Sequence, residues 1–251
     1  MHASNGTWER VEVAGRPCEV YEPPERNPHG YAVLYLHDLD QGGLRDKAAF
    51  EAELARRGLP ALAPLVRRSW WSDKICCEFD PQLTAERHVV DNVAPYAAAR
   101  FGAAAPRLTL VGIGMGGQGA LRLSFKHPNR FPICAAIAPT IDYQHCFYDE
   151  EDGTLPEMYA DPESARQDTA TLHVHPLNWP RNVWFAADPA DSPWHDSAEK
   201  LRMKLSALGI PHDCDLETTA GGRPREYENL MAPKAFEFIA ERLERERLRV
   251  V

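Results

Sequence analysis

The stretch LTLVGIGMGGQGALRLSFKHPNRF, residues 108–131, sets five glycines within the eight positions from Gly112 to Gly119. An apolar run, LTLVG, has strand character, and helical sequence runs from Gln118 to Lys126, closed by His127-Pro128. Two readings of the glycines compete. Gly112, Gly114 and Gly117 satisfy G-x-G-x-x-G, a turn that cradles the phosphates of a dinucleotide. The same letters fit G-x-S-x-G, a strand-to-helix turn that carries a nucleophile, with Gly114 where serine would stand. The first reading needs an acidic residue about 20 positions further on to hold a ribose. No Asp or Glu occurs from Gln118 to Ile141, Asp142 lies beyond Pro139, and several elements precede the turn. The second reading explains why small residues flank both sides of the turn, since its central residue is strained and the helix packs closely on the strand.

Outward from this turn, strand and helix signals alternate. TWERVEVAGRPCEVYEPP predicts a hairpin around Ala14-Gly15, and Tyr31–His37 (YAVLYLH) predicts a buried strand. Helical spacing from Leu44 to Ala55 ends at Gly58, and LPALAP is the next short strand. LTAERHVVDNVAPYAAARFG predicts a long helix that Pro95 bends or interrupts at a first turn. ICAAIAP, NVWFAA and DCDLETT read as further strands, Trp194–Leu208 as a helix ended by Gly209, and APKAFEFIAERLERERLRVV as the last helix. Residues 142–180, rich in Tyr, His, Pro and Trp, read as an irregular cap or lid. The expected fold is α/β: a mostly parallel sheet with helices on both faces, in a single domain spanning residues 1–251.

With 251 residues, 26% charged and 44% apolar, the composition is that of a globular chain. A formal net charge of -9 argues against nucleic acid or an anionic membrane as partner, without excluding a small anion at a local site. MHASNGTWERVEVAG has neither a basic n-region nor an apolar h-region, and no apolar run is long enough to span a bilayer, so a cytoplasmic location is expected. The six cysteines lack C-x-x-C spacing and read as reduced thiols, the adjacent Cys76 and Cys77 most simply as packing residues. His37, His145, His173, His175 and His195 have no carboxylate or cysteine following at a ligand spacing, so no metal is expected and no cofactor is called for.

Two segments carry a family resemblance. GIGMGGQGALRLSFKHPNRF resembles the G-x-S-M-G-G-x-G-A-L-…-H-P-…-F segment of the esterase D and S-formylglutathione hydrolase-like group of α/β-hydrolases. TTAGGRPREYENLMAPKAFEFI resembles that group's A-G-G-H-…-W-x-Y segment, which carries its catalytic histidine. The intervening FAADPADSPWHDSAEKLRMKLSALGIPHDCDL is similar to its acid-bearing strand and the helix and strand that follow. The resemblance runs from about Tyr31 to Ile239 and implies an α/β-hydrolase fold and an esterase site.

It places Gly114 at the nucleophile and Arg223 at the histidine, and both are changed. Glycine has no side chain, and arginine stays protonated and cannot act as a base. Losing either group costs on the order of a million-fold in turnover. Asp191 fits the acid position and Asp188 is second choice; either could instead cap the following helix. The oxyanion hole would use the amides of Met115 and Leu39. The pocket wall is expected to include His37, Asp38, Ser69, Trp70 and Trp71, with one indole buried and the other under the cap. Ser69, Ser124 and Cys146 are possible substitute nucleophiles, but none sits on a strand-to-helix turn.

Two functions follow. The first is a pseudo-esterase that binds a small, anionic or acyl ligand, a carboxylate or ester, between the Met115 amide and Arg223, with a bare Arg223–Asp191 pair as the alternative. The second is an active carboxylic-ester hydrolase using an unrecognised nucleophile or an activated water. Oligomeric state is not legible.

Overall fold

The computed structural model describes residues 6–148 and 153–249. Eight strands form one sheet in the order β1-β2-β4-β3-β5-β6-β7-β8. β1 (Thr7–Val13) and β2 (Arg16–Glu22) make the N-terminal hairpin. Its turn takes Ala14 and Gly15 to φ 49° and 72°, the left-handed pair that matches strand twist in a two-residue hairpin. β2 pairs antiparallel with β4 (Ala61–Pro64). From there β3 (Ala32–Leu36), β5 (Leu108–Ile113), β6 (Ile133–Ile137), β7 (Asn182–Ala186) and β8 (Asp213–Asp215) run parallel.

β5 lies at the centre, with Gly112 beside Leu36 of β3 and Ile113 beside Ile137 of β6. Both faces of the sheet are covered from β3 to β7, which is why these strands are buried throughout rather than alternating. Leu108 and Leu110 join the core beneath the elbow helix Met115–Lys126. Val111 and Ile113 join the opposite core, where Phe50 of helix Ala48–Arg57 meets Phe236 of the C-terminal helix edge to face at 5.7 Å. The carboxyl ends of β3, β5, β6 and β7 therefore open on one edge, the edge on which ligand sites of open α/β sheets form.

Two boundaries differ from the sequence expectation, and a third, at Pro95, agrees with it. The elbow helix begins at Met115, three residues before Gln118, so Gly116 and Gly117 are helical. Close packing outweighs their poor propensity: a methyl on Gly116 would collide with the Leu36 carbonyl, and one on Gly112 with the Gly116 carbonyl. The last helix begins at Pro224 rather than Ala232 and carries Pro233 inside it. Pro224 occupies the first turn, where its missing N–H is no loss, and Tyr227 and Met231 are buried against the sheet. Pro95 falls at the start of Ala94–Phe101, directly after a π-helical segment, His88–Val93. The cap is irregular as expected, with short turns at Tyr143–Cys146, Leu155–Met158, Pro162–Arg166 and Ala170–His173; residues 149–152 lie outside the described residues.

A buried ion network fastens the cap to the elbow helix. Arg122, 1% exposed, donates from Nε to Glu86 at 3.1 Å and from Nη2 to Asp168 at 2.9 Å. Asp168 also accepts from the Tyr159 hydroxyl at 2.7 Å and lies 2.9 Å from His173 Nε2.

Candidate functional site

Gly114 follows β5 directly and has φ 53° and ψ -117°. This is the strained turn expected of a nucleophile elbow, held here by a residue with no side chain. A β-carbon on Gly114 would overlap the carboxylate of Asp38. Asp38 thus fills, from the end of β3, the space into which a side chain at 114 would project.

The hydrogen bonds explain its position. Oδ1 of Asp38 accepts from the Met115 amide at 2.7 Å and from the Leu39 amide at 2.8 Å. Met115 is the first residue of the elbow helix, so the carboxylate also sits against the positive end of the helix dipole. Oδ2 has no hydrogen-bond partner among the described residues. Burial pushes the Asp38 carboxyl up to about 6, against the pull of the Met115 and Leu39 amides and with the charges of Asp40 and Glu228 adding to the rise. His37 braces this arrangement. Its Nδ1 lies 2.8 Å from the Asp38 carbonyl and its Nε2 accepts from the Val66 amide at 3.1 Å, which sets the tautomer with the proton on Nδ1. Burial lowers its pKa, so the ring stays neutral.

A cleft of about 110 Å³ opens over Gly114 and Asp38. Its far wall comprises Thr140, Asp188, Asp191, Trp194, Arg223 and Tyr227. Asp188, the second choice for the acid, is the carboxylate tied to the loop that carries residue 223. It accepts from Thr219 Oγ1 at 2.6 Å, Ala190 N at 2.9 Å, Ala220 N at 2.9 Å and Gly222 N at 3.1 Å. Burial acts to raise its pKa, but these hydrogen bonds outweigh it and hold the carboxyl below its usual range. Asp191 precedes helix Ser192–Ala207 and makes no capping bond with its side chain. Burial, with the charge of Asp188, raises its pKa.

Several expected contacts are not made. Arg223 is turned outward, its side chain 67% exposed, with Nε donating to Ala220 O at 2.9 Å and Nη1 3.8 Å from Glu226. It neither pairs with Asp191 nor stands opposite the Met115 amide across a vacant anion site. Trp70 and Trp71 are both fully buried, and neither they nor Ser69 and His37 line the cleft. The expectation that adjacent indoles must part assumed extended backbone. Both have positive φ, 56° and 52°, so strand alternation does not apply and both rings enter one core. Trp71 Nε1 donates to the His37 carbonyl at 3.1 Å, and Trp70 Nε1 to Thr154 Oγ1 at 3.1 Å. Ser124 and Cys146 are buried away from the cleft. Thr140, Trp194, Tyr227 and Glu228 join the cleft without any signal in the sequence pattern, because loop ends and a first helical turn bring them there.

An eight-stranded, mostly parallel sheet with a strained strand-to-helix elbow on its central strand defines the α/β-hydrolase class. The sequence profile of the Esterase family, described as "Putative esterase", matches residues 80–247, and the chain belongs to that family. An S-formylglutathione hydrolase from Agrobacterium tumefaciens superposes with a TM-score of 0.70 at 19% identity, covering 94% of each chain. An S-formylglutathione hydrolase from Staphylococcus aureus superposes with a TM-score of 0.64 at 12% identity, covering 94% of this chain and 100% of its own. The MPT51 protein of Mycobacterium tuberculosis does so at 0.66 and 18% identity, over 93% and 99%. At these identities the likeness is one of fold. No curated protein sequence is matched.

Proposed function

We propose that this member of the esterase family is a pseudo-esterase: it binds a small molecule over the elbow and does not cleave esters by a serine–histidine–acid mechanism. The observation that carries the reading is Asp38 seated on the Met115 and Leu39 amides above Gly114. In an esterase these two donors would stabilise the oxyanion of a tetrahedral intermediate. Here they hold a protein carboxylate, and the nucleophile's space is filled by the same group. Arg223, at the histidine position, cannot take a proton and faces solvent. Glycine at 114, arginine at 223 and the carboxylate at 38 form a consistent set, since a serine at 114 could not coexist with Asp38 in this place.

The test is hydrolysis of short-chain aryl esters. The unmodified chain is expected to show no turnover above background. Gly114→Ser/Arg223→His is expected to stay silent, because the serine side chain and the Asp38 carboxylate compete for the same space beside the amides. Adding Asp38→Gly clears them and is expected to restore measurable hydrolysis, a step toward the ~10⁶-fold that a complete triad contributes. Hydrolysis by the unmodified chain at an enzymatic rate, abolished by Asp38→Asn, would instead establish Asp38 as the base of an activated-water mechanism.

A further inference from the structure

We infer that the cleft over Gly114 takes a small organic ammonium ion, held between the carboxylates of Asp38 and Asp191, with the Tyr227 hydroxyl as hydrogen-bond partner and the Trp194 indole as wall. This rests on the reading that the site binds rather than cleaves, and it names the class of ligand.

The argument begins with which charges on the cleft wall are already answered. Asp188 is satisfied by four donors from Thr219, Ala190, Ala220 and Gly222. Glu228 is paired with Lys47 at 2.6 Å. Arg223 is directed to Ala220 O and Glu226 in solvent. Two carboxylates remain. Asp38 has one oxygen on the amides and the other without a partner, and the Asp191 side chain has no hydrogen-bond partner among the described residues. Burial raises the pKa of each, with neighbouring acids adding to the rise.

A second observation is independent of the acids. Tyr227 lines the same cleft, is 2% exposed, and its hydroxyl has no hydrogen-bond partner among the described residues. A buried phenol left unpaired is costly, and a ligand that hydrogen-bonds it removes that cost. Trp194 adds an aromatic surface to the wall, a favourable neighbour for a desolvated cation.

The geometry also decides against other ligands. An anion would have to displace Asp38 from both amides and then lie against Asp191. A metal ion needs several hard ligands converging, and no group of three or more His, Cys, Asp or Glu side chains is placed to hold one among the described residues. A cleft of about 110 Å³ suits a ligand of a few heavy atoms.

The experiment is calorimetric titration of the full chain at pH 7.5 with n-propylammonium chloride, sodium propionate and n-propanol, which share size and differ in charge. Propylammonium is expected to bind with a Kd on the order of 1 mM, and the other two at least about tenfold more weakly. Asp191→Asn is expected to weaken propylammonium about tenfold, and Tyr227→Phe severalfold. Melting curves without ligand identify any variant that fails to fold, and the comparison of three ligands on the unmodified chain stands without variants. Propionate binding as tightly as propylammonium, or no propylammonium binding, overturns the inference. Ester turnover by the unmodified chain would overturn the pseudo-esterase reading but leave the ligand comparison to stand on its own result.

Discussion

Gly114 and Asp38 form one unit although they lie 76 positions apart in the chain. The elbow conformation at 114 persists without a serine because glycine adopts positive φ at little cost, while the two amides it exposes still need an acceptor. Asp38 supplies that acceptor at the expense of a desolvated charge. The consequence for stability has a definite sign. A carboxyl whose folded pKa is raised binds its proton more tightly when folded, so ionisation opposes folding. The penalty is absent below the unfolded value near ~4 and complete above the folded value of about 6. Asp38→Asn keeps the acceptor and removes the charge. Denaturant midpoints measured from pH 4 to 7 should show variant and parent together at pH 4, with the variant gaining as pH rises to about 6 and the gap constant above it. A gap that is flat with pH, or that favours the parent at pH 7, would contradict the placement of the ionised carboxylate. The glycines at 112 and 116 are legible in the sequence as small residues around a turn, but not as the contact between Leu36, Gly112 and Gly116 that requires them. Gly116→Ala should destabilise by several kcal/mol, roughly 4 or more, read by urea unfolding, because its methyl meets backbone that cannot move aside.

The elbow helix joins two things that local pattern keeps apart, the turn at Gly114 and the cap. Arg122 lies on its buried face, and its charge is answered by Glu86 before the helix and Asp168 in the cap. Burial acts to raise the pKa of Glu86, but His127, Lys126 and Arg122 outweigh it and hold the carboxyl down at about 2. Its contribution is present above the unfolded value near ~4.5 and is lost as pH falls toward about 2. Arg122→Met leaves the buried Glu86 and the partly buried Asp168 without their guanidinium and should cost about 3–5 kcal/mol in urea unfolding at pH 7. The loss should shrink in acid, and a loss under ~1 kcal/mol at pH 7 would mean the network is not closed in solution. The sequence pattern shows neither that Arg122 is buried nor which acids meet it, since they come from 36 residues before and 46 after. The same limit explains the helix ends. Pro233 reads as a boundary locally and is interior because the face carrying Tyr227, Met231 and Phe236 is buried on the sheet.

Across the whole molecule, β5 is enclosed between β3 and β6, and β8, three residues long, is one of the two edges. Amide exchange should reflect this, with Leu110 and Val111 exchanging only on global opening and Cys214 orders of magnitude faster. No helix among the described residues is long and apolar enough to cross a membrane. The alternation of strands and helices, the elbow between a strand and a helix and the family of the chain could all be read from the letters, because they depend on hydrophobic period, turn chemistry and short motifs, which are local. The absence of a side chain at 114 and of an imidazole at 223 was equally plain. What stands in their place was not. Only the tertiary structure sets Asp38 on the Met115 and Leu39 amides, turns Arg223 to solvent, buries both Trp70 and Trp71, and leaves Asp38, Asp191 and Tyr227 facing one cleft. The reason is physical: the sign and shape of a site depend on which groups are desolvated together and which are already paired, and that is a property of contacts between distant segments.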